Sequence, residues 1–337
     1  MAVLAVVAVV LGSCGGGAET RPATGSRPPR RTTTTTAAPP VAPLTGLADP
    51  QGRAARRPVL SVKVENTPEA RPQRGLADAD VIWTEVVEGG ITRFLAMYHS
   101  TVPDVVGPVR SVRLTDPPIV WPVGGILAFS GGARYALDAL RRAPVVAVDE
   151  AAAGRAMYRD RTRRPPHNLF ARPALLWERP GRPVPPPALF GYDDAAGAGG
   201  EPAAEVTVGY PGAYRVSYRW DPAARGWARF EGGRPFVDPS GATLAPTNVV
   251  VLVVTYRGGV GRLGAEAQLM GEGDAWVLVD GRVVRGRWSR PRVEAPARLV
   301  AGDGAEIRLR PGRTWVELAD PSHTLGLVPQ VSGPDGR

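Results

Sequence analysis

Four arginines in the first half of the chain stand in or beside segments that favour turns. They are Arg71, Arg93, Arg110 and Arg113. A guanidinium group binds a carboxylate or a phosphate through two parallel hydrogen bonds, so these side chains would form an anion pocket if the fold brings them together. The alternative is that each arginine pairs with a nearby carboxylate such as Glu85, Glu88 or Asp116, or lies on the surface.

Glu85 and Glu88 also suggest glycoside hydrolysis, which uses two carboxyl groups on either side of one bond. Residues three apart on a regular strand point to opposite faces, so only a bulge or an early turn at Gly89 would bring both groups into one cleft. We therefore expect at least one of the two to have a structural role, such as binding an arginine. We commit to no catalytic residue.

His167 and Asn168 follow two prolines in a segment, residues 163–169, whose composition indicates a turn. An imidazole in a loop can carry protons or bind a ligand. We group both residues with Asn66 and the four arginines as candidate ligand-binding residues. The alternative role of His167 is packing or stabilisation of the turn.

The chain has three histidines and one cysteine, and none of them stands at metal-ligand spacing. Its glycine pairs do not match phosphate loops or dinucleotide fingerprints. We therefore expect neither a metal nor a cofactor.

The sequence is basic, with a net charge of +9 and an isoelectric point near 10.3. Lys63 is the only lysine, so almost all of the positive charge is arginine scattered along the chain. No zinc-finger spacing or aromatic-basic run accompanies this charge, so we do not expect a nucleic-acid partner. Anionic polymers of the cell envelope and lipid headgroups would explain the charge equally well.

Residues 1–14 have the pattern of a bacterial lipoprotein signal peptide. Residues 1–11 are an apolar run of signal-peptide length, far short of the roughly 20 residues that a spanning helix needs. The run ends in Leu-Gly-Ser-Cys, which is similar to a lipobox, so we expect Cys14 to carry diacylglycerol and palmitate at the extracytoplasmic face of the cell membrane. An apolar N-terminus with an incidental cysteine is the alternative. No Lys or Arg precedes the run, which indicates a true start upstream of Met1.

The predicted organisation after Cys14 is a tether, two folded units and a tail. Residues 15–42 are rich in Thr, Pro and Gly, with little to bury, and predict a disordered linker. Residues 43–181 form the first unit, 182–205 a Pro/Gly/Ala-rich connector, 206–318 the second unit and 319–337 the tail.

The first unit mixes strands and a helix. Hydrophobic patterns predict strands at residues 59–64, 81–87, 91–99, 126–129 and 145–148, and a helix at 133–142. The fold class is therefore α+β or α/β for this unit.

Short alternating runs in the second unit predict an antiparallel β structure, a sandwich or an open barrel. One hairpin spans residues 214–230, and Asp280-Gly281 gives the strongest two-residue turn signal in the chain. Five tryptophans in this unit would line a sugar-stacking platform or, more commonly, fill the core. They are Trp220, Trp227, Trp276, Trp288 and Trp315.

Several of these segments together resemble the YerB-like lipoprotein family, a domain of unknown function with N-terminal and C-terminal parts. The first-unit motifs are Asn66 and residues 70–73 (ARPQ), 75–76, 79–80, 87–94 (VEGGITRF), 107–113 (GPVRSVR) and 166–169 (PHNL). The resemblance continues at residues 276–288 and 311–315, and it implies an envelope lipoprotein of two parts without an established activity. Where this family tends to carry a histidine before a Gly-Gly pair, the chain has Ser130.

The leading hypothesis is a non-catalytic, membrane-anchored lipoprotein that binds an anionic cell-wall polymer, peptide or envelope protein. One alternative is a cell-wall hydrolase or transferase that uses Glu85 or Glu88 with His167. Another is a structural docking or assembly factor whose β unit presents exposed aromatic residues.

Overall fold

The computed structural model describes residues 40–179, 185–211 and 214–330. The predicted signal peptide, the lipidation site Cys14 and almost all of the predicted tether lie outside the described residues. No helix in the described part of the chain is long and apolar enough to cross a membrane.

The described residues form mainly strands, with four short α-helices. The helices are α1 Asp116–Val120, α2 Arg134–Leu140, α3 Glu150–Ala153 and α4 Pro173–Trp177. The strands up to the connector are β1 Leu60–Glu65, β2 Val81–Val86, β3 Thr92–Tyr98, β4 Gly125–Ala128, β5 Val145–Val148, β6 Met157–Arg159 and β7 Leu169–Ala171. Those after it are β8 Glu201–Gly209, β9 Arg215–Asp221, β10 Gly226–Glu231, β11 Arg234–Pro235, β12 Asn248–Val253, β13 Tyr256–Arg257, β14 Glu266–Ala267, β15 Gly271–Val279, β16 Arg282–Arg290, β17 Arg298–Ala301, β18 Thr314–Ala319 and β19 Leu325–Pro329.

One continuous sheet joins strands from both predicted units. Its order is β11-β10-β9-β8-β16-β15-β12-β18-β2-β3-β1-β4-β5. Strand β18 lies parallel to both β12 and β2, so it connects the second half of the chain to the first. The boundaries of the two units stay predictions. Strands of the two predicted units are hydrogen-bonded to each other within this one sheet.

The predicted elements of the first unit are confirmed, because strands and a helix form where the hydrophobic patterns indicate them. Strands β1, β2 and β3 are buried along their whole length, on both faces. One face carries aliphatic side chains such as Val62 and Val64 from β1. The other carries Lys63 and Glu65, which alternation alone would place towards solvent.

The antiparallel character of the second half is also confirmed. Strands β9 and β10 form the predicted hairpin, with Trp220 opposite Trp227. Strands β15 and β16 are joined through Asp280 and Gly281, whose φ angles of 48° and 73° are the left-handed values that a tight hairpin turn requires.

The hairpin β9–β10 packs over one face of the central part of the sheet, which is formed by β18, β2, β3 and β1. Phe236, just after this hairpin, contacts Phe94 of β3 edge to face at 5.8 Å, and Trp315 of β18 contacts Phe94 at 5.2 Å. Trp227, Trp288 and Trp315 are fully buried, so these three tryptophans fill the core and form no platform. On the opposite face, Asp116 of α1 contacts Lys63, and residues 107–113 run beside β1, where Val109 pairs with Val64.

Candidate anion-binding site

Strand pairing places three charged residues in one row across the first strands. Arg93 of β3 lies opposite Glu65 of β1 and opposite Glu85 of β2. Directly opposed residues in antiparallel strands point to the same face. The row therefore reads Glu65, Arg93, Glu85 on the face that α1 covers.

Glu85 binds the only lysine of the chain rather than Arg93. Lys63 Nζ contacts Glu85 Oε1 and, at 2.8 Å, Asp116 Oδ1 at the start of α1. All three side chains are buried. Burial and the neighbouring Asp116 raise the pKa of Glu85 to about 7, against the opposing effect of Lys63.

Glu65, at the other end of the row, is surrounded by two further candidate residues. Its Oε1 lies 3.2 Å from Arg110 Nε, and its Oε2 lies 3.0 Å from His167 Nδ1. The backbone N–H of Arg110 donates to the Lys63 carbonyl at 2.9 Å, which fixes this segment beside β1. Glu65 is thus engaged by cationic or potentially cationic groups outside the sheet.

Arg93 itself has no ion-pair partner in the part of the chain that the structure describes. Its Nη1 donates to the Ser111 carbonyl at 3.3 Å, and its Nε has no hydrogen-bond partner. The residue is only 7% exposed. Burial, followed by the charges of Arg113 and Arg110, lowers the pKa of Arg93 to about 10.

Arg113 converges on the same carbonyl as Arg93. Its Nη1 donates to the Ser111 carbonyl at 3.2 Å, and its Nε binds Glu88 Oε2 at 2.8 Å. Glu88 belongs to a single 3-10 turn, Glu88–Gly90, in which Gly89 has a φ of 79°. The structure therefore brings three of the four candidate arginines together, and it also realises for Arg113 the alternative pairing with Glu88, whereas Arg110 pairs with Glu65, a carboxylate that the alternative did not name.

Arg71 and Asn66 lie on the other side of the sheet. Arg71 binds Glu231 of β10, and Asn66 Nδ2 donates to Thr92 Oγ1 at 2.8 Å and to Glu231 Oε1 at 3.1 Å. Asn168 is separate again, because its Oδ1 accepts from Arg159 at 2.9 Å in the β6–β7 hairpin. These three candidate residues do not join the arginine cluster.

The two carboxylates of the hydrolase alternative have different surroundings. Glu85 is 1% exposed and bound to Lys63, whereas Glu88 stands at a partly open turn and binds Arg113. His167 contacts Glu65 and neither of them. The structure does not assemble a carboxylate pair with His167 in one cleft within the described residues, and no group of metal-ligating side chains is present there either.

Comparison with known proteins agrees with this architecture. Residues 44–182 match the family described as "Protein of unknown function (DUF3048) N-terminal domain", and residues 206–316 match its C-terminal domain. The protein named "Putative lipoprotein YerB" of Bacillus subtilis (strain 168) is 30% identical over 291 residues, which cover 82% of this chain and 85% of the relative. The chain belongs to this family.

The fold of the family is also known from a solved structure. The crystal structure of YerB protein from Bacillus subtilis superposes with a TM-score of 0.73 at 25% sequence identity. The similarity covers 85% of this chain and 99% of the other. The resemblance inferred from the sequence motifs is thereby confirmed.

Ser130 lies beside the arginine cluster. Ser130 Oγ lies 3.3 Å from Ser111 Oγ, and its N–H donates to the Arg110 carbonyl at 2.9 Å. Ser130 therefore borders Ser111, whose carbonyl Arg93 and Arg113 share.

Sequence reasoning missed Lys63, Glu65 and Ser111 as parts of this site. The available signal was a polar series, Ser61, Lys63 and Glu65, alternating with apolar residues in β1. Such a series is typical of a solvent-facing strand surface. Only the covering residues 107–113 and α1 turn it into a buried site.

Proposed function

We propose that this protein is a lipid-anchored protein of the extracytoplasmic membrane face that binds a phosphate- or carboxylate-bearing envelope ligand at Arg93, Arg110 and Arg113. The lipobox-like residues ending in Cys14 and the name of the Bacillus subtilis relative, "Putative lipoprotein YerB", support the anchor. The surroundings of Arg93 support the ligand.

The observation that carries the proposal is a buried guanidinium left without an anion. A buried charge is costly unless it is paired and hydrogen-bonded. The two carboxylates in the row with Arg93 bind other cations, Glu85 through Lys63 and Glu65 through Arg110. An incoming phosphate or carboxylate oxygen would supply the acceptor that Arg93 Nε lacks.

The local charge balance also favours an anion. Four cations and four carboxylates meet on this face, but a Glu85 with a pKa of about 7 is partly neutral at neutral pH. The partly protonated Glu85 leaves a positive excess around Arg93. Arg110 and Arg113, with side-chain exposures of 22% and 17%, are the members of the cluster that solvent partly reaches.

The binding test is a titration with inorganic phosphate, followed by calorimetry or by the thermal unfolding midpoint, in wild type and in Arg93→Met. We expect saturable binding in wild type and at least about a tenfold weaker affinity in the variant, since charge-assisted hydrogen bonds contribute about 1.5–3 kcal/mol. Arg287→Met is the matched control, because Arg287 is an exposed arginine on β16 that binds two exposed carboxylates. Identical phosphate dependence in wild type and Arg93→Met would rule out the site.

The same variants then identify the natural ligand class. The protein is incubated with muropeptides and with phosphate-bearing wall polymers, and both retention and any change in ligand mass are recorded. Retention that depends on Arg93 and leaves the ligand mass unchanged supports binding without chemistry. A change in ligand mass would show that the protein modifies the ligand, and the proposed function would then be catalysis instead of binding.

The anchor is tested separately by growing cells with a labelled fatty acid. We expect the label to enter the wild-type protein and to be absent from Cys14→Ser, which should leave the membrane fraction. A Cys14→Ser protein that stays equally membrane-bound would refute the anchor and leave the phosphate result untouched.

A further inference from the structure

Strand β5 ends the central sheet. It pairs in parallel with β4 from Gly125 opposite Val145 to Ala128 opposite Val148. In the sheet order, no strand among the described residues follows it. Its outer edge is therefore unpaired within the described part of the chain.

The hydrogen-bonding groups of this edge can be assigned from one contact. Val148 accepts from Phe129 N–H at 3.1 Å, next to the end of β4, so its backbone groups point inwards. Backbone groups alternate in direction along a strand, which makes Val146 point inwards as well and Ala147 outwards. Val145 N–H is already bound to the Ala143 carbonyl at 2.8 Å, which leaves its own carbonyl on the outer side.

The side chains of β5 do not protect this edge. The strand reads Val-Val-Ala-Val, with no charge, proline or bulge inside it, whereas exposed edges usually carry such features. Val146 is 38% exposed, and Ala147 is exposed too. The protective features lie only at the ends of the strand.

The charges at the two ends of β5 are complementary. Arg141 and Arg142 precede the strand, and Asp149 and Glu150 follow it. Arg141 already pairs with Asp138 and Glu150 with Arg159, whereas Arg142 and Asp149 form no ion pair with any described residue, so the complementarity depends on these two. An antiparallel copy of the same segment would place each basic end beside the acidic end of the other.

We propose that β5 pairs antiparallel with β5 of a second copy of this chain, on a two-fold axis at Ala147. In this register Ala147 exchanges both backbone hydrogen bonds with its counterpart. The Asp149 N–H of each copy donates to the Val145 carbonyl of the other, and the bond inside each copy from Val145 to Ala143 is kept. Val146 packs against Val148 across the interface.

A four-residue strand buries less surface than the roughly 1,200 Å² that stable complexes bury, so the pairing is weak in dilute solution. Lipid anchoring, which rests on the proposed function, would raise the effective concentration of the two copies. The register itself does not depend on the anchor, and neither does its test.

The test is disulfide capture at high protein concentration, which offsets the loss of the anchor, in the full chain carrying Cys14→Ser, which removes the only native cysteine. In the proposed register the two Cα atoms of residue 147 lie about 5.5 Å apart, within the range of a disulfide. We expect Ala147→Cys to form a covalent dimer on mild oxidation about tenfold faster than the neighbouring Val146→Cys, whose counterpart lies diagonally at about 7–8 Å. Equal rates, or a faster Val146→Cys, would overturn the proposal.

A charge variant provides a second readout. Added to Ala147→Cys, Arg142→Glu places like charges at each end of the interface and should slow capture several-fold. Arg234→Glu, on β11 at the opposite edge of the sheet, is the matched control and should leave the rate unchanged. If Arg142→Glu has no effect, or if the Ala147→Cys protein stays monomeric, self-pairing is refuted and the edge is left for an extended segment of another protein.

Discussion

Two buried arginines on opposite faces of the same sheet have opposite surroundings. Arg229 of β10 binds Glu317 of β18, Glu231 and the hydroxyl of Tyr218, and is fully buried. Burial alone would lower its pKa, but Tyr218, Glu317 and Glu231 raise it well above the usual value. Arg93 has no such partner, and its pKa falls to about 10.

This difference indicates that Arg229 has a structural role and that Arg93 is free to bind an anionic ligand. The Arg229 guanidinium also lies 4.2 Å from the centre of the Trp315 ring, so aromatic faces and carboxylates together enclose it. Tyr210 and Tyr218 donate to the two oxygens of Glu317 and complete the network. The Arg229 charge is neutralised by carboxylates of the protein, which stabilises a unique packing, whereas Arg93 has no carboxylate partner among the described residues and leaves a position for an anionic ligand.

The largest expected effect follows directly from this comparison. Arg229→Met leaves Glu317 buried without its cation and Glu231 with Arg71 alone, and removing one partner of a buried pair costs about 3–5 kcal/mol. Arg93→Met removes an unpaired charge and should change the free energy of unfolding by no more than about 1 kcal/mol. Urea unfolding of both variants measures this, and equal losses would show that the two arginines have the same role.

A smaller effect concerns the pH dependence of stability. The pKa of Glu85 is about 7 in the folded protein and near 4.5 when unperturbed. The folded state therefore holds the proton more tightly, and the contribution of Glu85 is fully present below pH 4.5 and is lost as pH rises to about 7. Across that window the free energy of unfolding should fall by about 3 kcal/mol from this group.

Glu85→Gln removes that titration while keeping an acceptor for Lys63. Its free energy of unfolding should decline less between pH 4.5 and 7 than that of wild type, with the two curves parallel above about pH 8. Glu205→Gln is the control, because Glu205 is a partly exposed carboxylate on β8 that binds Arg219. Parallel curves for wild type and Glu85→Gln across the whole range would contradict the raised pKa.

The smallest expected effect concerns Glu88, which lies at the partly exposed side of the arginine cluster. Glu88 binds Arg113 at 2.8 Å in a partly exposed pair, and such pairs contribute about 0–1 kcal/mol. Glu88→Gln should free Arg113 and tighten phosphate binding by about two- to fivefold. A weaker affinity in Glu88→Gln would mean that Glu88 orients Arg113 for the ligand instead of competing with it.

The sequence predicted the elements well because hydrophobic period and turn residues are local signals. The strand at residues 145–148 and the turn at Asp280-Gly281 are found where the pattern placed them. The arginine cluster was predicted in part, since Arg93, Arg110 and Arg113 meet but Arg71 lies on the opposite face.

The remaining site residues could not be predicted, because their partners are distant in the chain. Glu231 and Arg71, which form an ion pair, are 160 positions apart. The burial of Lys63 depends on Asp116, 53 positions away. Hydrophobic periodicity carries no information about such long-range pairs. The sequence therefore could not show which arginines are paired with a carboxylate of the protein.

The position of β18 between β12 and β2 determines when the sheet can be completed during folding. Trp315 donates to Thr84 at 2.7 Å, although the two residues are 231 positions apart. Before β18 has been synthesised, one edge of β2 and one edge of β12 have no strand to pair with. Closure over such a sequence separation is slow, so a chain cut short before residue 314 would keep two open edges and be exposed to proteolysis and aggregation.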